Sequence, residues 1–152
     1  MKHRRALPIL LAACLMLSGY ASAEPEKKEA CQRVPMNVLV THLSNDGSGV
    51  DPDAKRLDGK LRRQFKYNSL RVIEKRRIDL DVDQVGTIDL PNGRAARVQP
   101  IHKGDQGILM AVDVENAAKI DARVKNHNLL VIRAGKYDDG DLVLSLEPDC
   151  DD

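Results

Sequence analysis

After Asn68-Ser69 the apolar residues of this chain fall into a period of two. Leu70, Val72, Ile78, Leu80 and Val82 share one parity, and cations and then aspartates occupy the other. Successive side chains of a strand point to opposite faces, so this alternation predicts a long half-buried strand, with a bulge expected near Glu74. The same reading extends along the chain. Met36 to Leu43 reads as a buried strand. Gly86 to Leu90 and Arg94 to Ile101 flank Pro91-Asn92-Gly93, and Asn-Gly is a strong hairpin signal. Ile108 to Val114, Ile120 to Val124, Leu129 to Arg133 and Leu142 to Leu146 come next, with turn residues between them.

One segment breaks the pattern. Asp51-Pro52 opens a helix, with Asp as N-cap and Pro at the first helical position. Ala54, Leu57, Leu61 and Phe65 then form an apolar stripe, and the spacing predicts a helix to about Tyr67. The expected fold class is α+β and mainly β: one N-terminal amphipathic helix and seven or eight antiparallel strands forming a sandwich or open barrel. With one Phe, three Tyr and no Trp, the core has to be aliphatic.

The ends of the chain set its compartment. Three cations in Met1–Arg5 precede an apolar run to Gly19, and Ala21-Ser22-Ala23 supplies a small-x-small cleavage site. Residues 1–23 therefore read as a cleavable secretory signal peptide, too short in its apolar part to span a bilayer. An alternative is a lipobox, Leu11-Ala12-Ala13-Cys14, with acylated Cys14 as the mature N-terminus and a membrane tether. The apolar residues after it, Leu15 to Leu17, argue against it. Residues 24–33 form a polar leader, and 34–150 a single β-rich domain.

Cleavage after Ala23 takes Lys2, Arg4 and Arg5 from 24 cations, leaving 21 against 23 anions, a formal charge of −2. Two cysteines then remain, Cys31 and Cys150, and an even count in an oxidising compartment predicts a disulfide between the domain's ends. The location expected is periplasmic or secreted.

Several stretches belong to a recognisable pattern. They are Phe65-Lys66-Tyr67-Asn68-Ser69, Leu90-Pro91-Asn92-Gly93-Arg94, and Gly135-Lys136-Tyr137 with Gly140 and Leu142-Val143-Leu144. The chain resembles an uncharacterised family of small exported bacterial proteins. That family has a Phe-x-Tyr-x-Ser helix exit, a Leu-Pro-x-Gly-Arg hairpin and a Gly-x-Lys-Tyr-x-x-Gly final hairpin. Leu70 stands where the resemblance implies an aromatic, and Asn128 where Gly is common. The resemblance implies one continuous domain over residues 36–146 and no particular activity. Its shared residues are turn and core types.

Ten cations lie between Lys55 and Arg77, opposed only by Asp58 and Glu74. Lys55, Arg56, Arg62, Arg63 and Lys66 are the candidate contacts for an anionic partner, either another envelope protein or an anionic surface. The bland alternative is a solvated face balanced by the acidic segment from Asp138 onward. Nucleic acid is not expected, because aromatic residues for base stacking are few. Asp138-Asp139-Gly140-Asp141 lacks the spacing of a calcium loop. Asp46-Gly47-Ser48-Gly49 lacks the Gly-Lys-Ser/Thr ending of a phosphate loop. His42, His102 and His127 do not stand at ligand spacing, and the serines have no nucleophile context. No catalytic residue, cofactor or metal is expected. The sequence points to a non-enzymatic binding module of the bacterial envelope, the alternatives being a structural accessory subunit of an envelope or secretion assembly and a small periplasmic hydrolase.

Overall fold

The computed structural model describes residues 32–150. The expected signal peptide, its lipobox alternative at Cys14, Cys31 and nearly all of the expected polar leader lie outside the described residues. Nine strands form among the described residues: β1 (Arg33–Ser44), β2 (Gly49–Val50), β3 (Ser69–Asp81), β4 (Gly86–Asp89), β5 (Ala95–Gly104), β6 (Gly107–Val114), β7 (Ala118–Val124), β8 (Leu130–Tyr137) and β9 (Gly140–Pro148). They make two sheets, ordered β2-β3-β1-β9-β8 and β4-β5-β6-β7, which do not close into a barrel. All pairings are antiparallel except that of the two-residue β2 with β3, which period-two reading does not detect.

The two sheets bury one aliphatic core between them. Val34, Met36, Val38 and Val40 of β1 and Leu142, Leu144 and Leu146 of β9 face Ala96, Val98, Met110, Val112 and Val114 of β5 and β6. Alternation is clean in β6, where every second residue is buried. A smaller core lies on the opposite face of the first sheet. There Ala54, Leu57 and Leu61 cover Leu43, Leu70 and Val143.

The helix differs from expectation. Asp51 caps as predicted, accepting from the Asp53 N–H at 3.0 Å. The cap leads into a 3-10 turn, Pro52–Ala54, and a seven-residue helix α1 (Lys55–Leu61), not a helix to Tyr67. Gly59 weakens the interior of α1. The chain then tightens, with Gln64 N–H donating to Leu61 O at 2.9 Å. The Tyr67 hydroxyl turns back to donate to Asp58 Oδ1 at 2.7 Å, with the Asp58 carbonyl 3.1 Å away.

The bulge in β3 lies at Ile73, beside the expected Glu74. Val40 pairs with Glu74 and Thr41 with Val72, which leaves Ile73 as the extra residue. One extra residue exchanges the faces of a strand. Leu70 and Val72 therefore pack beneath α1, whereas Ile78 and Leu80 face the second sheet. The expectation that all of them share one face is thus corrected. Similar irregularities occur at Ile101 in β5 and Ala134 in β8.

Deleting Ile73 removes the extra residue and leaves Val72 opposite Thr41 and Glu74 opposite Val40 in an unbroken ladder, so Leu70 and Val72 stay beneath α1 and Ile78 and Leu80 stay in the main core. Since Ile73 is itself exposed, the cost should be small, about 1 kcal/mol or less. Urea unfolding should show a midpoint close to that of the parent, and a sharply lowered midpoint would show that Ile73 is not the extra residue.

Candidate functional site

The five cations proposed from sequence separate into two groups. Arg56 is used inside the molecule: Nη1 pairs with Glu147 and Nη2 donates to the His127 carbonyl. Nearby, Lys60 donates to Leu129 O at 2.7 Å. These contacts tie α1 to β9 and to the turn before β8. Arg62 is also engaged, with Nε 2.9 Å from Asp58 Oδ2 and its guanidinium 5.2 Å from the centre of the Tyr67 ring. Burial pushes the Asp58 carboxyl up, but hydrogen bonds from Arg62 and Tyr67 outweigh it and hold the group below its ordinary range. Burial and the adjoining Asp58 push the Tyr67 hydroxyl up. Lys55, Arg63 and Lys66 remain exposed. The acidic β9 segment does balance part of the basic stretch, through Glu147 with Arg56 and Asp149 with Arg77.

A second basic site, not anticipated as a unit, forms where the two sheets meet. The β4–β5 turn docks onto β8: Asn92 Nδ2 donates to Ala134 O at 2.9 Å and to Lys136 O at 3.3 Å. Arg94 Nη1 donates to Asn116 O at 3.0 Å. Gly135 has φ +100°, and a Cβ added there would stand 2.5 Å from Arg94 Nη1. Glycine thus serves twice, for a left-handed backbone and for the space the guanidinium fills. The result is an open cleft of about 310 Å3 lined by Arg94, Asn116, Ala117, Arg133, Gly135 and Lys136. One Asp141 oxygen lies 2.7 Å from Arg133 Nη2 and 3.2 Å from Lys136 Nζ. Burial raises the Asp141 carboxyl, and the two cations more than reverse this, so it stays ionised. Two of the three cations of the cleft thus share one carboxylate, and Arg94 is held by Asn116 O.

Arg94 and Gly135-Lys136 were visible as separate motifs. Their juxtaposition was not, because some forty residues and two strand irregularities intervene. The three named motifs also prove to be fastenings in part: Asn92 and Arg94 grip β8, Tyr67 closes α1, and Ser69 holds the loop before β2.

That loop takes no phosphate-like form. Its own Asp46 carboxylate fills the space, accepting from the Ser69 hydroxyl, the Ser48 N–H at 2.9 Å and the Ser48 hydroxyl at 2.7 Å. The Ser69 bond first, and then the Ser48 bonds, hold Asp46 well below the usual carboxylate range. The aspartates of the β8–β9 turn do not converge: Asp141 serves Arg133 and Lys136, whereas Asp139 lies 3.7 Å from His42 Nε2. Among the described residues no group of three or more His, Cys, Asp and Glu side chains could hold a metal ion. His42 is buried, with Nε2 3.1 Å from the Tyr137 carbonyl and its ring edge-on to Tyr137. No disulfide is seen among the described residues, and Cys31, the expected partner of Cys150, is not one of them. Cys150 is buried, and its backbone exchanges hydrogen bonds with the Asn126 amide.

No family model, curated protein or solved structure matches the chain.

The Asp46 contacts have a pH signature. A carboxyl depressed by folding adds stability that is present above its unfolded pKa of about 3.9 and is lost as pH falls towards the folded value. Asp46→Asn keeps an acceptor oxygen and removes the charge. The wild-type urea midpoint should exceed that of D46N at neutral pH, and the gap should shrink as pH falls below about 4. A gap that does not change with pH would remove the ionised carboxylate from the account.

Proposed function

We propose that this is an exported, non-enzymatic binding module of the bacterial envelope, and that the cleft of Arg94, Arg133 and Lys136 receives an anionic group. The observation that carries this reading is the convergence of three cations from both sheets on one open concavity. Arg94 is held by Asn116 O, and Arg133 and Lys136 by Asp141, so their charges are placed before a ligand arrives. Preorganisation of this kind lowers the ordering cost of binding. Lys136 is the outermost, with 73% of its side chain exposed. Exposed Lys55, Arg63 and Lys66 would extend the attraction to an anionic surface.

Vesicles of phosphatidylglycerol in phosphatidylcholine provide the probe. Mature protein should sediment with them at low salt and release as salt rises, because ions screen exposed charges over about 8–10 Å. Lys136→Glu should weaken sedimentation severalfold, whereas Lys119→Glu on the other sheet should not. Equal binding to pure phosphatidylcholine, or no effect of K136E, would overturn the reading.

Covalent closure between Cys31 and Cys150 belongs to the same proposal. The Asp149 N–H donates to Pro35 O at 2.9 Å, which continues the β1–β9 register and sets Cys150 opposite Val34, three positions after Cys31. Closing a loop of about 120 residues contributes on the order of 4–5 kcal/mol in the chain-entropy model. Denatured, non-reduced mature protein should give no reaction with a thiol reagent. Two reactive thiols would remove the closure and leave the cleft proposal standing. The intact mass of the same sample should show an N-terminus at Glu24, not an acylated Cys14.

A further inference from the structure

Among the described residues the backbone of β3 is open along one side beyond Val72, whose N–H donates to Asp51 Oδ2 at 3.4 Å. β2 covers it only at Ser69 and Leu70, and no other strand pairs with that side among the described residues. The direction of its amides follows from its end. Val82 N–H donates to Gln32 O at 2.7 Å, towards β1, whereas Asp81 N–H donates to the Gln84 side chain at 2.9 Å and Asp83 N–H to Pro100 O at 2.7 Å. Antiparallel alternation then turns the amides of Lys75 and Asp79 away from β1 as well. The opposite edge of the same sheet is treated differently: on β8 the Asn92 amide takes the carbonyls of Ala134 and Lys136.

The open edge is charged. From Arg71 to Asp79 it carries Arg71, Lys75, Arg76 and Arg77 against Glu74 and Asp79. Arg76 lies 3.1 Å from Glu74 and Lys75 3.7 Å from Asp53, while Arg77 reaches across to Asp149. Arg71 is exposed, and so is Ile73 of the bulge, at 37%. Cations on an edge strand oppose pairing with a second copy, since antiparallel β3 strands would set like charges against each other. An acidic strand meets the reverse: open amides to pair with and opposite charges across the pairing.

We propose that the edge of β3 between Glu74 and Asp79 accepts an extended acidic segment of a partner protein, which adds to the sheet as a further strand. Backbone hydrogen bonds supply the attachment, Lys75 within the span selects for acid, and exposed Arg71 adds positive charge beyond its end, on the other face of the sheet. This site is separate from the cleft at Lys136.

A short fluorescein-labelled peptide of alternating Glu and Val, titrated with the mature protein at low salt, tests it. Binding should slow hydrogen exchange at the Lys75 and Asp79 amides. The Arg71→Glu, Lys75→Glu double variant should weaken binding about tenfold, and a Lys-Val peptide should bind at least about tenfold more weakly than the Glu-Val peptide. Methylating alternate peptide nitrogens should weaken it similarly, because the donors that face β3 are removed. Lys136→Glu should change nothing. The proposal fails if the methylated peptide binds as well as the parent, if protection appears at the Arg94–Lys136 cleft instead, or if the peptide does not bind at about 1 mM.

Discussion

β1 is the strand on which the rest is built. It is paired on both sides over most of its length, with β3 on one side and β9 on the other. Its alternate residues feed two cores: Val34 to Val40 point to the second sheet, and Leu43 points beneath α1. The apolar residues Leu70, Val72, Ile78 and Leu80 of β3 keep one parity, so regular pairing would send them to only one of these cores. The extra residue at Ile73 lets β3 follow β1 into both, and the residue that makes the switch is itself left exposed. At the far end Gly140 performs a related service. A Cβ there would stand only 1.8 Å from Leu43 O, so only glycine lets the β8–β9 turn close on β1.

The short apolar cap of α1 cannot hold itself in place by area alone. Its position is fixed by polar ties at its rim: Arg56 to Glu147 and the His127 carbonyl, and Lys60 to the Leu129 carbonyl. These ties reassign the charge pattern. A run of cations that reads as a binding face is partly the means by which a small helix is moored to β9 and β8. Exposed ion pairs contribute little each, so their worth here lies in orientation more than in energy. The same ties explain why the acids of the C-terminal segment match the basic stretch without cancelling it.

Much of the strand pattern was legible because alternation and turn chemistry are local. Asn92-Gly93 marks the β4–β5 hairpin, and Asp51-Pro52 marks the start of the helical turn. The fate of Leu70 and Ile78 was not legible, since a bulge changes the meaning of parity without changing the sequence pattern on either side. The length of α1 was misread for a similar reason: Phe65 continues the apolar stripe, but Tyr67 reaches back to Asp58 and ends the helix early. Arg94 and Lys136 could each be seen, yet their meeting depends on how one sheet lies over the other, and hydrophobic period does not encode that.

The cleft can be divided into what the architecture requires and what it leaves over. Asn92 satisfies carbonyls at the edge of β8, Arg94 satisfies Asn116 O, and Gly135 makes room for both backbone and guanidinium. Each of these residues has a structural reason to be where it is, so none of them alone argues for a ligand. Lys136 is different. Its backbone is fixed by Asn92, but its side chain extends into solvent with 73% exposure and shares an Asp141 oxygen that Arg133 already holds more closely. Against the upward push of burial, both cations hold the Asp141 carboxyl below its ordinary range, the Arg133 hydrogen bond more strongly than that of Lys136. Lys136 therefore carries most of the weight of the anionic-group proposal, because packing explains the position of the residue but not its charge.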